Sequence, residues 1–234
     1  MLKKTNLDAC KELAIAFLHM PIEKTIWSPV VVTHPIFESG FYNYKDGNSF
    51  KICDILEDER ARNQAITNTE KAILQASDAY SVYFIIRNSY RLAFLKHAKN
   101  YLSLADFSKL FADAWVISEN PNQDPNVSIK TLVSWFKQAD KRVLMSDEDY
   151  QVYDSLPERI TVYRGVGFGR NPKGLSWTAN RSTAEWFAHR FDTEDNKGYI
   201  QKATIDKSTV LAYFNRRGED EIVVDSKGLK IRIE

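Results

Sequence analysis

Hydrophobic and polar positions divide the chain into a helical stretch and a strand-rich stretch. Leu7, Leu13, Ala14, Phe17 and Leu18 form one apolar stripe, predicting a helix over 7–19 that Pro21 stops. Val30-Val31-Val32 is a short β-prone run between Pro29 and Pro35. Residues 37–48 are rich in Gly, Asn and Tyr and read as a loop or hairpin, with Asp46-Gly47 as the turn signal. The pattern then turns helical. Residues 55–76 are charged and amphipathic, and 79–102 are aromatic-rich, with Tyr83, Ile86, Tyr90, Phe94 and Ala98 near one face. Over 106–118, Phe107, Leu110, Phe111, Ala114 and Trp115 recur at helical spacing. Aromatic stripes of this kind read as core, because burying them removes large apolar areas from water.

The polar stretch Asn120 to Asn126, with Pro121 and Pro125, reads as a connection, with an edge of a functional site as the alternative. A helix over 129–144 follows, with Leu132, Val133 and Phe136 inward, then a short helix over 147–155 that Pro157 ends. Beyond 157, strands are expected at 161–163, 174–178, 199–205, 210–214, 221–224 and 229–233, interrupted by one helix over 180–190. Asn180 or Ser182 can cap that helix. Helices first and a mostly antiparallel sheet second make the fold class α+β, with a helical subdomain over 1–155 and a strand-rich core over 156–234.

At 234 residues, 44% hydrophobic and 27% charged, the composition is ordinary for a globular chain. The net charge of +1 gives no bulk attraction to nucleic acid. The balance is slightly uneven: residues 156–234 hold 14 Lys and Arg against 11 Asp and Glu. No stretch approaches the roughly 18 apolar residues of a membrane span. Lys11 and Glu12 interrupt any apolar leader, so the expectation is a cytoplasmic protein, or one delivered by a route that leaves no cleavable signal, with no membrane association. Cys10 and Cys53 are the only cysteines, and neither has a His or second Cys at ligand spacing; no disulfide framework and no metal site is expected.

The chemistry centres on Gly218-Glu219-Asp220-Glu221-Ile222-Val223-Val224. In an extended segment Glu219 and Glu221 point the same way, about 7 Å apart, with Asp220 opposite as an outward spacer. Taken alone this is an acidic turn before a strand. Two upstream segments change that reading. Thr161-Val162-Tyr163-Arg164-Gly165-Val166 is a strand carrying an arginine, and Gly174-Leu175-Ser176-Trp177-Thr178 is a strand with hydroxyls on one face.

Arginine, Ser-x-Thr and Glu-x-Glu, in that order and each on a strand, resemble the arginine–serine–glutamate class of ADP-ribosyltransferases, over roughly 156–234. The resemblance implies a compact NAD-binding β-sandwich with a helical subdomain along one side of the cleft. It implies NAD+ as co-substrate and no metal. Glu221 matches the catalytic glutamate, and Glu219 the residue that orients or deprotonates the acceptor. Arg164 would hold a phosphate, Gly165 would let the ligand approach the backbone, and Tyr163, Ser176 and Thr178 would complete the cofactor-binding wall. Ser176 would also fix the Glu221 rotamer. Trp177 should point into the core.

Residues 191–197 look like the loop that folds over NAD+, and Tyr213, Phe214, Asn215, Arg216 and Arg217 occupy the target-recognition position. Trp186 and Phe187 read as core, and His189 as a structural residue without a partner at spacing. The implied partner is a macromolecular target, with protein arginine favoured by Glu-x-Glu. RNA or DNA bases, transfer to water, and a catalytically silent binding module are the alternatives. Small members of this kind are typical of bacterial or phage effectors, which implies a possible antitoxin or immunity protein.

Overall fold

The computed structural model describes residues 3–234, which divide into two compact units, 3–114 and 115–234, each taken by itself. Both mix helix with antiparallel strands, the α+β class. Among the described residues no helix is long and apolar enough to cross a membrane.

In the first unit, α1 (Leu7–Leu18) begins at Asn6, whose side chain accepts the Ala9 N–H. Strands β1 (Glu23–Lys24) and β2 (Val32–Thr33) form a short ribbon, so the expected Val30–Val32 strand lies slightly later. Strands β3 (Phe41–Asp46) and β4 (Ser49–Asp54) form the hairpin signalled by Asp46-Gly47, with Gly47 at φ +60°. Helix α2 (Glu59–Gln75) starts later than its periodicity suggests because Asp58 caps it, accepting from the N–H groups of Arg60 and Ala61.

The continuous helix expected over 79–102 is broken into α3 (Ala79–Ile85) and α4 (Arg91–Ala98), with a single 3₁₀ turn after each. The break has a cause. The Arg87 N–H donates to the Pro35 carbonyl, and its guanidinium bonds the carbonyls of Val32, His34 and Phe37. Tertiary bonds here outweigh helical periodicity.

The boundary between units falls inside α5 (Leu104–Ile117). The expected 129–144 helix is two: α6 (Ile129–Gln138) ends at Ala139, and Asp140 caps a new start, α7 (Lys141–Leu144), by accepting from Arg142 N–H. Helix α8 (Asp147–Ser155) follows. Then come β5 (Arg159–Val166), β6 (Ser176–Thr178), α9 (Arg181–His189), β7 (Tyr199–Asp206), β8 (Val210–Phe214), β9 (Glu221–Val224) and β10 (Arg232–Ile233).

These six strands pair as one antiparallel sheet, in the order β10-β7-β5-β6-β9-β8. The strands expected as a sandwich are therefore hydrogen-bonded into a single sheet. Its weak seam lies between β5 and β6, which share one paired position, Tyr163 opposite Thr178. On one face α9 packs onto β5, where Gly165 makes the contact possible. A Cβ there would fall on the Ala184 carbonyl, the Ala188 nitrogen and the Phe187 Cβ. The core of this unit includes Trp177, Phe136, Ile222, Val223 and Val224, all buried, with Trp177 inward as expected.

Candidate active site

The register of the sheet assembles the site. Tyr163 on β5, Thr178 on β6, Glu221 on β9 and Phe214 on β8 are successive cross-strand partners. Directly opposed residues share a face of the sheet, so Tyr163, Thr178 and Glu221 line one cleft, and Ser176, two residues before Thr178, joins them. Arg164 is offset by one residue and leaves β5 on the other face. Its guanidinium turns across the seam, Nη1 donating to the Ser176 carbonyl at 2.6 Å and Nη2 to the Asn171 carbonyl at 3.0 Å. Gly174 leaves the space it needs, since a Cβ there would land on the guanidinium.

The cleft holds a cavity of about 160 Å³. Arg164, Gly165, Tyr163, Ser176, Thr178, Glu219, Glu221 and Arg217 all line it. Glu219 reaches it differently from the expected extended segment. Gly218 at φ +69° and Asp220 at φ +48° bend the chain, and β9 begins only at Glu221. Asp220 is not a free outward spacer: its carboxylate accepts the Tyr213 hydroxyl at 2.6 Å.

The expected target-recognition run does not hold together. Tyr213 and Phe214 are buried in β8 (6% and 5% exposed), because their aromatic rings complete the packing of α6 and α8 on that strand. They are not exposed for stacking on a target. The exposed turn begins at Asn215 and includes Arg216, and neither residue lines the cleft. Only Arg217 of this run does. Its Nε pairs with Glu219 at 3.3 Å, and its Nη1 donates to the Val116 carbonyl.

Several lining residues were read otherwise from sequence. Trp115 is a core residue as expected (1% exposed), packing edge-on against Phe136, yet its indole N–H points at Glu221, 3.2 Å from each carboxylate oxygen. Asn122, in the polar stretch read mainly as a connection, is buried and bonded to Ser176. Phe187, expected in the core, lines the cleft; Trp186 beside it is exposed. Arg190 and Phe191 line the cleft at the start of the loop expected to cover it, and the Arg190 guanidinium lies over both the Phe187 and Phe191 rings. His189 does have a partner, Asp192 at 2.9 Å, which also accepts the Gly198 N–H. These signals were hidden because a tryptophan N–H and an amide show no periodicity of their own.

Electrostatics in the cleft are asymmetric. Burial pushes the Glu221 carboxyl above the usual carboxylate range, and the Glu219 charge adds to this. Donated bonds from the Ser176 hydroxyl and Trp115, with the Arg164 charge, pull it back. Burial also lowers Arg164 to about 10, so it stays a cation at neutral pH. Its Nε is sealed from solvent and has no hydrogen-bond partner. Arg190 is lowered too, first by burial and then by Arg170 nearby. A carboxylate is thus held by neutral donors within a cleft walled by Arg164, Arg170, Arg190 and Arg217. Such an arrangement suits an anionic ligand with positive charge developing beside Glu221.

No protein-family model matches this chain, and neither a curated protein nor a solved structure matches it.

Proposed function

We propose that the second unit is an NAD-dependent mono-ADP-ribosyltransferase core, with its antiparallel sheet as the NAD-binding scaffold and protein arginine as the favoured acceptor. The observation that carries this reading is the Glu221 carboxylate, held by Trp115 and Ser176 in the same cleft as Arg164. The four arginines of the wall, Arg164, Arg170, Arg190 and Arg217, suit the diphosphate of a dinucleotide.

A bound NAD+ supplies a nicotinamide–ribose bond whose breaking builds positive charge on the sugar, as in glycoside cleavage. Glu221 supplies the opposing charge, preorganised rather than recruited. Trp115 and Ser176 fix its rotamer, so little reorientation accompanies the reaction. Arg164 holds the anionic end, its own geometry fixed by two backbone carbonyls. Glu219 takes the proton from the acceptor.

The Arg217–Glu219 pair supports an arginine acceptor, because Glu219 already holds one guanidinium at the cleft wall. The burial of Tyr213 and Phe214 removes the stacking surface on which a nucleic-acid acceptor rested. In this reading the protein acts as a bacterial or phage effector, with an antitoxin or immunity protein as a further expected partner.

Labelled NAD+ incubated with the protein and cell lysate, followed by protease or nuclease digestion, tests both parts. Label that depends on Glu221 and is lost to protease supports the reading. Label lost to nuclease removes the arginine acceptor, and absence of Glu221-dependent label removes the transferase.

A further inference from the structure

Asn122 sits in a 3₁₀ turn, Pro121–Gln123, with its side chain and its carbonyl facing different partners. Its Oδ1 accepts the Leu175 N–H at 2.7 Å, and its Nδ2 donates to Ser176 Oγ at 3.2 Å. Its backbone carbonyl accepts from Asn171 Nδ2 at 3.3 Å. A backbone N–H can only donate, so the buried Leu175 N–H requires Oδ1 on its side and fixes which way the amide points. The Nδ2 then fills an acceptor position on Ser176 Oγ, leaving the hydroxyl proton to be donated onward. The carboxylate that receives it is Glu221. Through its carbonyl the same residue holds Asn171, whose own carbonyl receives Arg164 Nη2.

We infer that Asn122 is a positioning residue that aims the Ser176 hydroxyl at Glu221 through its side chain and braces Arg164 through its main chain. The inference rests on the transferase reading for its consequence, but not for its geometry. Asparagine is suited to the position because the site needs one acceptor and one donor from a short side chain. Aspartate offers two acceptors, and alanine offers neither.

The groups facing Glu221 are Trp115 from α5, Ser176 from β6, Arg164 from β5 and Glu219 from the preceding turn. Substituting Asn122→Asp keeps the acceptor for Leu175 but turns the donor toward Ser176 into a second acceptor. The Ser176 proton is then drawn to the new carboxylate. Glu221 loses a donor and gains a like charge nearby, so its proton is held to higher pH. The main-chain brace on Arg164 is untouched by this change.

The test is the titration of Glu221 in the full chain, followed by carboxyl NMR with labelled glutamate, beside the pH profile of nicotinamide release from NAD+. Asn122→Asp is expected to move the Glu221 titration and the acid limb upward together. It should lower kcat several-fold at neutral pH, leave KM for NAD+ nearly unchanged, and recover as pH rises. In a Ser176→Ala background the Asn122→Asp shift should shrink to the part due to the new charge alone, and Asn122→Ala should produce no shift. If Asn122→Asp does not fold, Asn122→Ala is expected to shift the titration the same way by less. A Glu221 titration that either folded variant leaves in place, or one that the uncharged Asn122→Ala still shifts without Ser176, overturns the inference. Should the titration move as stated while even the unaltered protein releases no nicotinamide, the relay stands and the transferase reading falls.

Discussion

The indole N–H of Trp115 lies equidistant, at 3.2 Å, from the two carboxylate oxygens of Glu221. A helix residue and a strand residue far apart in sequence thus share one bond at the base of the cleft. The indole faces the carboxylate as a neutral donor, stabilising its charge without cancelling it. Trp115→Phe keeps most of the buried ring but removes the donor. A hydrogen bond to a charged group contributes roughly 1.5–3 kcal/mol. The variant should therefore lose about ten- to a hundredfold in nicotinamide release, and the acid limb of its pH profile should move upward. Steady-state kinetics across pH checks both.

Glu221 itself is held at a cost to the fold. Its folded-state pKa is raised, chiefly by burial, so the native state keeps the proton more tightly than the unfolded chain. As pH rises from the unfolded value toward the folded one, the native state therefore loses stability. Glu221→Gln carries no charge at any pH and retains an oxygen to accept from Trp115. It should melt higher than the unaltered protein at neutral pH, with the difference shrinking under acid conditions. Melting curves of both proteins from acid to neutral pH test this.

Gly174 gives a separate handle on Arg164. A Cβ at this position falls on the guanidinium, the far end of a flexible side chain, rather than on backbone. Gly174→Ala should displace Arg164 from the Ser176 and Asn171 carbonyls, losing roughly 1 kcal/mol of stability per bond, and raise KM for NAD+ by about tenfold or more, as expected for a lost charge-assisted contact. Gly165→Ala acts on the fold alone. Its Cβ meets the main chain of α9, so the strand–helix contact must open, and a loss of at least about 1–3 kcal/mol of stability is expected. Measuring denaturant midpoints together with KM for NAD+ in the two variants separates the cases.

The first unit carries a pH dependence of its own. His34 is buried; its Nδ1 accepts from the N–H groups of Ile36 and Phe37, and its Nε2 bonds the Leu18 carbonyl. Burial lowers its folded-state pKa below the ordinary value of 6.5. Stability is therefore full above the unfolded pKa and falls as pH drops below it, because the unfolded chain takes up a proton that the folded ring resists. His34→Asn should be less stable at neutral pH and show a flatter decline in melting temperature between about pH 6.5 and 4.5.

Hydrophobic periodicity carried most of the fold. The core helices and all six strands of the sheet were legible, because alternation and 3.6-residue stripes follow directly from burying one face. What periodicity missed were interruptions made by tertiary bonds: Arg87 spent on Pro35 and its neighbours, and Asp140 capping a new helix where one continuous stripe was expected. Arg164, Ser176 and Glu221, grouped from sequence, do line one cleft. The site was not legible at Trp115 and Asn122, where a buried ring and a polar loop acquire their role only from what they face. The Tyr213-Phe214 pair misled in the other direction, as aromatic residues next to arginines in sequence whose rings turn out to be core.

The most direct measurement is nicotinamide release from NAD+ by the unaltered protein and by Glu221→Gln, in the presence of cell lysate, above the acid limb of the profile. Release by the former and background release by the latter, with Glu221→Gln still folded and melting at least as high, is the predicted result. Equal release by the two proteins, whether at background or above it, contradicts a catalytic Glu221.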